Sequence, residues 1–183
     1  MTIGVDCDNV INNLSESVLK VYNEDSGDDL QIRDITCYEM ERFVKPEYRA
    51  TFRKYFSDKR VWDNIEVLDG CISTLEKYHS LGHDIFIVTS TYPANVPMKA
   101  EWLQKVLPFL DINKQFISIH RKQLLSGLDV LIDDCHANLD YGEYRRILLD
   151  YPWNWNYGKS NSFFPLIRCR NWQDIDKALE YLT

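Results

Sequence analysis

"IGVDCDNVI", residues 3–11, places an apolar run, Ile3 to Val5, directly before two acids one residue apart, Asp6 and Asp8. Thr2 to Asp6 reads as a strand, and a buried strand that ends in paired carboxylates poses the question the rest of the chain must answer. Working outward, the same texture returns in "HDIFIVTS" (83–90), "FISI" (116–119), "DVLIDD" (129–134) and "RRILLD" (145–150). Each is a short apolar run, and three of them close on hydroxyls or acids. Helical segments are expected between them, near 95–107 and 135–142, with a last helix near Trp172 to Leu182. Short all-apolar strands alternating with helices predict an α/β fold, a Rossmann-like parallel sheet covered on both faces in three layers.

The segment between the first two strands has a different rhythm. Asn13 and Glu16 have the spacing of a capping box, and Leu14, Val18, Val21 and Tyr22 follow at helical spacing. Asp25 to Asp29 is a polar loop. Thr36 and Glu39 repeat the capping pattern and predict a short helix to about Val44. Pro46 suits the first turn of a further helix to about Phe56. Leu68 to Leu81 is amphipathic, with Gly82 placed as a C-cap. This divides the chain into a core of 1–13 and 65–183 and a small helical cap subdomain of 14–64.

Composition narrows the function classes. A net charge of −7, with no basic run of five residues, argues against a nucleic-acid duplex or an anionic membrane as partner. No apolar stretch approaches the length of a membrane span, and the run after Met1 is too short and too acidic for a signal peptide. The five cysteines, Cys7, Cys37, Cys71, Cys135 and Cys169, are odd in number and hold no CxxC pair. A disulfide framework or structural zinc is therefore not expected, and a reducing cytoplasm fits. The reading leaves room for a homodimer.

In an open parallel sheet, ligands bind beyond the carboxyl ends of the strands. Three predicted strands end there in Asp6 and Asp8, Thr89 and Ser90, and Asp133 and Asp134. Any one of these endings could be a simple helix cap; three together, two of them paired acids, point to one site. Four converging carboxylates repel one another, and a hard divalent cation relieves that repulsion. Oxygen ligands favour magnesium, which shares its shell with a substrate phosphate. Thr89 and Ser90 offer donors to such a phosphate, and Lys122 could reach in from "HRKQLL". A carboxylate can attack phosphorus while a second carboxyl moves the leaving group's proton.

These residues carry a resemblance. "DCDNV" (6–10) resembles the DxDx(T/V) signature of the haloacid dehalogenase superfamily, Thr89 its second motif, Lys122 its third and "VLIDD" its fourth. Within that superfamily the chain most resembles the 5'(3')-deoxyribonucleotidases, through "DCDNVINN", "FIVTS", "LIDD", "ILLDYPWN" and "RNWQDI". The resemblance implies a haloacid dehalogenase-like core with a cap inserted after the first strand, and a magnesium-dependent hydrolase of nucleoside monophosphates. It implies Asp6 as nucleophile and Asp8 as general acid and base. Magnesium would be held by Asp6, the backbone carbonyl of Asp8, and Asp133 or Asp134. Thr89 and Lys122 would hold the phosphoryl oxygens.

Other residues are assigned by weighing local context. Lys99 could contact a phosphate in place of Lys122, but its position near the start of an amphipathic helix favours a solvated lysine. Cys135 and His136 read as a helix start, and His79, His83 and His120 as surface or core residues. "YPWNWNYG" (151–158) reads as a packed loop. In the aromatic stretch from Ile35 to Trp62, Phe52, Tyr55 and Phe56 are assigned to the cap's own core, and Tyr38, Phe43 and Trp62 to a base-stacking pocket. The preferred substrate is expected to be a deoxyribonucleoside monophosphate, a pyrimidine one. A sugar-phosphate phosphatase and a catalytically silent phosphate-binding module are the competing readings; the latter suffers because every catalytic position is filled.

Overall fold

A computed structural model describes residues 1–157 and 164–183. Its framework is a six-stranded sheet, all parallel, in the order β3-β2-β1-β4-β5-β6. The strands are β1 (Thr2–Val5), β2 (Asp84–Thr89), β3 (Phe116–Ser118), β4 (Val130–Asp133), β5 (Arg145–Leu149) and β6 (Leu166–Cys169). Five of the six fall where apolar runs predict them. β6 does not: its edge position leaves Leu166 and Ile167 only half-buried and Arg168 exposed, so its sequence lacks the continuous apolar signal.

Alternation along each strand divides the core. Ile3, Val5, Ile85, Ile87, Val130, Ile132, Ile147 and Leu149 face one side, where three helices cover them: α3 (Cys71–Ser80), α4 (Val96–Val106) and α5 (Trp172–Leu182). Val88, Leu131 and Leu148 face the other, against Leu128, Leu139 and Tyr144. Gly4 sits at the crowded centre: a Cβ there would come within 2.9 Å of Leu128 Cδ1 and 3.0 Å of Leu131 Cδ1. The indole of Trp172, buried to 1% exposure, donates to the Val10 carbonyl at 2.7 Å and so pins α5 beneath the turn that follows β1.

The segment 14–64 builds a third apolar cluster of its own. α1 (Leu14–Ser26) and α2 (Lys59–Asn64) gather Val18, Tyr22, Phe52, Val61 and Trp62, with Trp153 from the sheet side packed on them. Tyr22 is its hub, meeting the rings of Tyr48, Phe52 and Tyr55 edge-on at 5.5–6.1 Å. Between the two helices the predicted helices to Val44 and Phe56 are replaced by short 3-10 segments, three residues at Met40–Arg42 and six at Phe52–Ser57. Side chains take over the backbone there: Lys45 N–H donates to the Tyr22 hydroxyl, Lys45 Nζ to the Ser26 carbonyl and Arg49 to the Val44 carbonyl. The Asn13 capping box is also absent. Asn13 Oδ1 accepts instead from Glu66 N and Ser17 Oγ, tying the two chain crossings of this segment together.

None of the five cysteines is bonded to another. Among the described residues no helix is long and apolar enough to cross a membrane. Trp172→Ala should lower stability by about 3–5 kcal/mol, the usual cost of emptying a large aromatic site. Urea unfolding measures this, and Trp172→Phe should recover most of the loss while lacking the bond to Val10.

Candidate active site

The strand order brings the polar endings to one point. β1 lies between β2 and β4, with Val5 level with Ile87 on one side and Ile132 on the other. The next residues are Asp6, Val88 and Asp133, so Asp6 and Asp133 stand side by side at the carboxyl edge with Thr89 one residue beyond, and Asp6 N–H donates to the Ile132 carbonyl at 2.9 Å. After Asp6 the chain folds into a tight turn. The Cys7 carbonyl accepts from the N–H groups of Val10, Ile11 and Asn12, and Asn9 takes a left-handed φ of 58°, which asparagine tolerates better than most residues. Cys7 is buried among the core side chains. Burial, then the Asp8 charge, pushes its thiol well above the ordinary range.

Asp6, Asp133 and Asp134 are buried, and an oxygen from each lies within 4.8 Å of the other two. The Lys122 ammonium, fully buried, sits 2.7 Å from both Asp6 Oδ1 and Asp133 Oδ2. Its approach to Asp6 lacks hydrogen-bond geometry, and Asp6 Oδ1 is the one buried side-chain oxygen among the described residues with no hydrogen bond. Burial pushes the Asp6 carboxyl from its ordinary 3.8 up to about 7 against the pull of Lys122, with Asp133 and Asp8 adding to the rise. Burial and the Asp133 and Asp6 charges likewise raise Asp134. Burial alone would lower Lys122, but the Asp133 and Asp6 carboxylates outweigh it and hold the ammonium charged.

The two acids of "LIDD" are not equivalent. Asp133 has both oxygens engaged: Oδ2 by Lys122, Oδ1 by Cys135 N–H at 2.8 Å and Asn138 Nδ2 at 3.1 Å. Asp134 Oδ2 accepts from Trp153 Nε1 at 3.1 Å and Asn9 Nδ2 at 3.4 Å, and no hydrogen bond among the described residues reaches its Oδ1. Asp134 therefore has an oxygen to offer and Asp133 has none to spare.

Lys99 overturns its reading as a solvated lysine. It is 1% exposed, and its ammonium lies 2.6 Å from Asp8 Oδ2 and 3.0 Å from Thr89 Oγ1. Burial alone would lower its pKa, but the Asp8 carboxylate together with the Cys7 and Asp6 charges outweighs burial and raises it. Because Lys99 donates to Thr89, the Thr89 hydroxyl keeps its own proton free for a ligand. Ser90 Oγ lies 2.7 Å from His120 Nδ1, which puts His120 at the site as well. Lys122 lies in a 3-10 turn, Lys122–Leu124.

A cavity of about 340 Å³ opens over Asp8, Ser90 and Lys99, a volume suited to a small organic ligand. Tyr38, Phe56, Trp62 and Trp153 line it, as do Glu41, Arg53 and Asn95. Of the three rings assigned to a base pocket, Tyr38 and Trp62 reach this cavity. Phe43 does not; it is turned into the cluster of the 14–64 segment, because the expected helix around it is a 3-10 turn. Phe56, assigned to that cluster, both packs there and lines the cavity. Tyr38 meets two environments: the residue is 56% exposed, while burial of the phenol and the nearby Asp134 charge raise its pKa. The stretch 151–157 is more than a packed loop, since Trp153 stacks on Tyr151 at 4.3 Å and holds Asp134; Gly158 lies outside the described residues.

Asn9 and Asn12 sit inside the quoted "DCDNVINN" yet carry no role in the sequence reading. In the structure Asn9 Oδ1 accepts from Ser15 N–H, and Asn12 Oδ1 accepts from Asn9 N–H and Leu14 N–H. Their recurrence beside the acids was the available signal. For Lys99 and His120 the sequence carries none, because their partners lie 91 and 30 residues away.

Residues 1–181 match the family model described as 5' nucleotidase, deoxy (pyrimidine), cytosolic type C protein. A 5'(3')-deoxyribonucleotidase of Clostridium acetobutylicum is 30% identical over 99% of this chain and 96% of its own length. One of Bacillus subtilis is 26% identical over 97% of each. Among solved structures, a conserved haloacid dehalogenase-like protein from Agrobacterium tumefaciens superposes with a TM-score of 0.65 at 12% identity, covering 99% of this chain and 98% of that one.

The buried Asp6 carboxyl makes stability pH-dependent. With its pKa near 7 folded and 3.8 unfolded, the folded state holds a proton that the unfolded chain releases. That contribution is full below about pH 4 and is lost as pH rises through about 7. In chelator, Asp6→Asn should therefore exceed the parent protein in stability at about pH 8, by about 1 kcal/mol or more. The advantage should shrink towards pH 5; urea unfolding at both pH values checks it.

Proposed function

The chain belongs to this 5'-nucleotidase family and is a phosphoric monoester hydrolase; from that premise we propose how its residues act and what they act on. The observation that carries the reading is the charge balance of the site. Four carboxylates, Asp6, Asp8, Asp133 and Asp134, face two ammonium groups, Lys99 and Lys122. A divalent cation fits that deficit, the all-oxygen donor set and the unbonded Asp6 Oδ1. Asp6, the backbone carbonyl of Asp8 and Asp134 would hold magnesium, with Asp133 serving through water. Bound there, it supplies positive charge to the phosphoryl oxygens.

Asp6 attacks phosphorus and the phosphorus–oxygen bond to the nucleoside breaks. Asp8 gives its proton to the departing oxygen, leaving a phosphoaspartate on Asp6. Asp8, now a carboxylate, takes a proton from water as that water attacks phosphorus, and Asp6 leaves with inorganic phosphate released. Lys122 offsets the Asp6 charge during the attack, and Lys99 holds Asp8 in place. Thr89 and Ser90 donate to the phosphoryl oxygens. The turn through Asn9 and Asn12 fixes both acids, so little rearrangement is needed as charge develops.

Segment 14–64 acts as the cap over this edge, and Tyr38, Phe56, Trp62 and Trp153 give the cavity the flat apolar walls on which a base stacks. The substrate proposed is a pyrimidine deoxyribonucleoside monophosphate, handled in the cytoplasm. A sugar phosphate would leave those rings without a partner.

Asp6→Asn should abolish hydrolysis of nucleoside monophosphates, and Asp8→Asn should cost roughly 10²- to 10⁴-fold in kcat. A chelator should silence the protein, magnesium should restore it, and calcium should restore it poorly. Full activity in excess chelator, or a panel in which sugar phosphates outrun every nucleotide, sinks the proposal. A second set of variants tests the cavity walls. Tyr38→Ala and Trp62→Ala should each lose about tenfold in kcat/KM for the nucleotide, within the worth of one stacked base, while hydrolysing a small acyl phosphate at the parental rate. Phe43→Ala should lower stability and leave the ratio of the two substrates unchanged.

A further inference from the structure

Two neighbouring hydroxyls at the end of β2 are held differently. Thr89 accepts from Lys99 at 3.0 Å, a permanent cation, so its proton is always free. Ser90 pairs at 2.7 Å with His120 Nδ1, on a base that can both accept and donate. Both partners line the cavity, and His120 is exposed at its wall. We propose that His120 is a positioning residue that sets the direction of the Ser90 hydroxyl, making Ser90 a phosphate donor only when the imidazole is protonated. This rests on the phosphatase reading of the site above.

The argument is one of hydrogen-bond polarity. A neutral imidazole with its proton on Nε2 offers a lone pair at Nδ1. Ser90 then spends its only proton on His120 and turns lone pairs towards the cavity, where a phosphate oxygen finds repulsion. An imidazolium donates from Nδ1, so Ser90 accepts and its proton turns to the phosphate. Imidazole is the side chain that ordinarily changes charge between about pH 5 and 8. Affinity for a phosphate group at this site therefore rises as pH falls through that range.

Other ionisable groups share the cavity. Asp8 and Lys99 are paired with each other, as are Glu41 and Arg53, and Glu39 pairs with Arg42. Tyr38 and Tyr92 add phenols, and Arg121 adjoins His120 in the chain. Removing the imidazole leaves all of them in place, as it leaves the titration of phosphate itself. The ratio of parental to His120→Ala affinity isolates the imidazole.

The experiment measures the dissociation constant of inorganic phosphate by calorimetry, with magnesium present, from about pH 5.5 to 8. It uses the parent protein, His120→Ala, Ser90→Ala and the double variant. The parental affinity relative to His120→Ala should rise about tenfold as pH falls, the scale of one hydrogen bond to a charged acceptor. In the Ser90→Ala background the same ratio should stay flat. A flat ratio in the protein that keeps Ser90 overturns the proposal. So does a rise that survives in Ser90→Ala, since His120 would then act by its own charge. The readout is binding, so it stands apart from turnover: absence of nucleotide hydrolysis in the parent would count against the nucleotidase reading and leave this measurement intact.

Discussion

Everything at the carboxyl edge of the sheet depends on keeping like charges together out of water. Asp6, Asp133 and Asp134 are almost wholly removed from solvent, where carboxylates strongly resist ionisation. One buried ammonium, Lys122, reaches two of them, and the pKa of Asp6 nonetheless stays near 7. A lysine cannot finish the neutralisation because it brings one charge and little geometric freedom. The surrounding neutral donors complete what it starts: Cys135 N–H and Asn138 on Asp133, Trp153 and Asn9 on Asp134. They also decide which oxygens remain for a cation. The protein thus distinguishes two adjacent, chemically identical side chains by how many donors each meets.

The parallel sheet makes this concentration reachable. In an antiparallel arrangement, the ends of β1, β2 and β4 would point to opposite edges. Here each strand runs the same way, so three separate stretches of sequence deliver their terminal residues to one line. The apolar faces that bury the sheet on both sides stabilise it against the repulsion at its edge, and the turn after β1 is anchored from below by Trp172.

This division of labour explains what was legible in the sequence. β1, β2, β4 and β5 announce themselves because burial on both faces demands unbroken apolar runs, and the acids and hydroxyls at their ends stand out against them. β6 is an edge strand with Arg168 bonded to Asn154 and Tyr157, so the demand is relaxed and the signal fades. The stretch from Thr36 to Phe56 has cap-like residues in helical order, yet its geometry is set by distant partners such as Tyr22 and Ser26. Lys99 is the sharpest case. On its helix it has the position of an ordinary solvated lysine, and its burial arises only because Asp8, 91 positions earlier, is folded beneath it. Pairings of that kind are properties of the assembled sheet, and no local window contains them.

The beginning of α4 joins two tasks in one rigid piece. Asn95, its N-terminal neighbour, accepts at Oδ1 from Ser57 of the 14–64 segment, and Lys99 stands one helical turn further on. Arg53 adds a bond from the same segment to Tyr92, just ahead of that turn. The rod that holds the 14–64 segment at one end therefore holds Asp8 one turn away. Its tilt is common to both contacts, so where the roof of the cavity rests and where the Asp8 carboxyl points are a single mechanical variable.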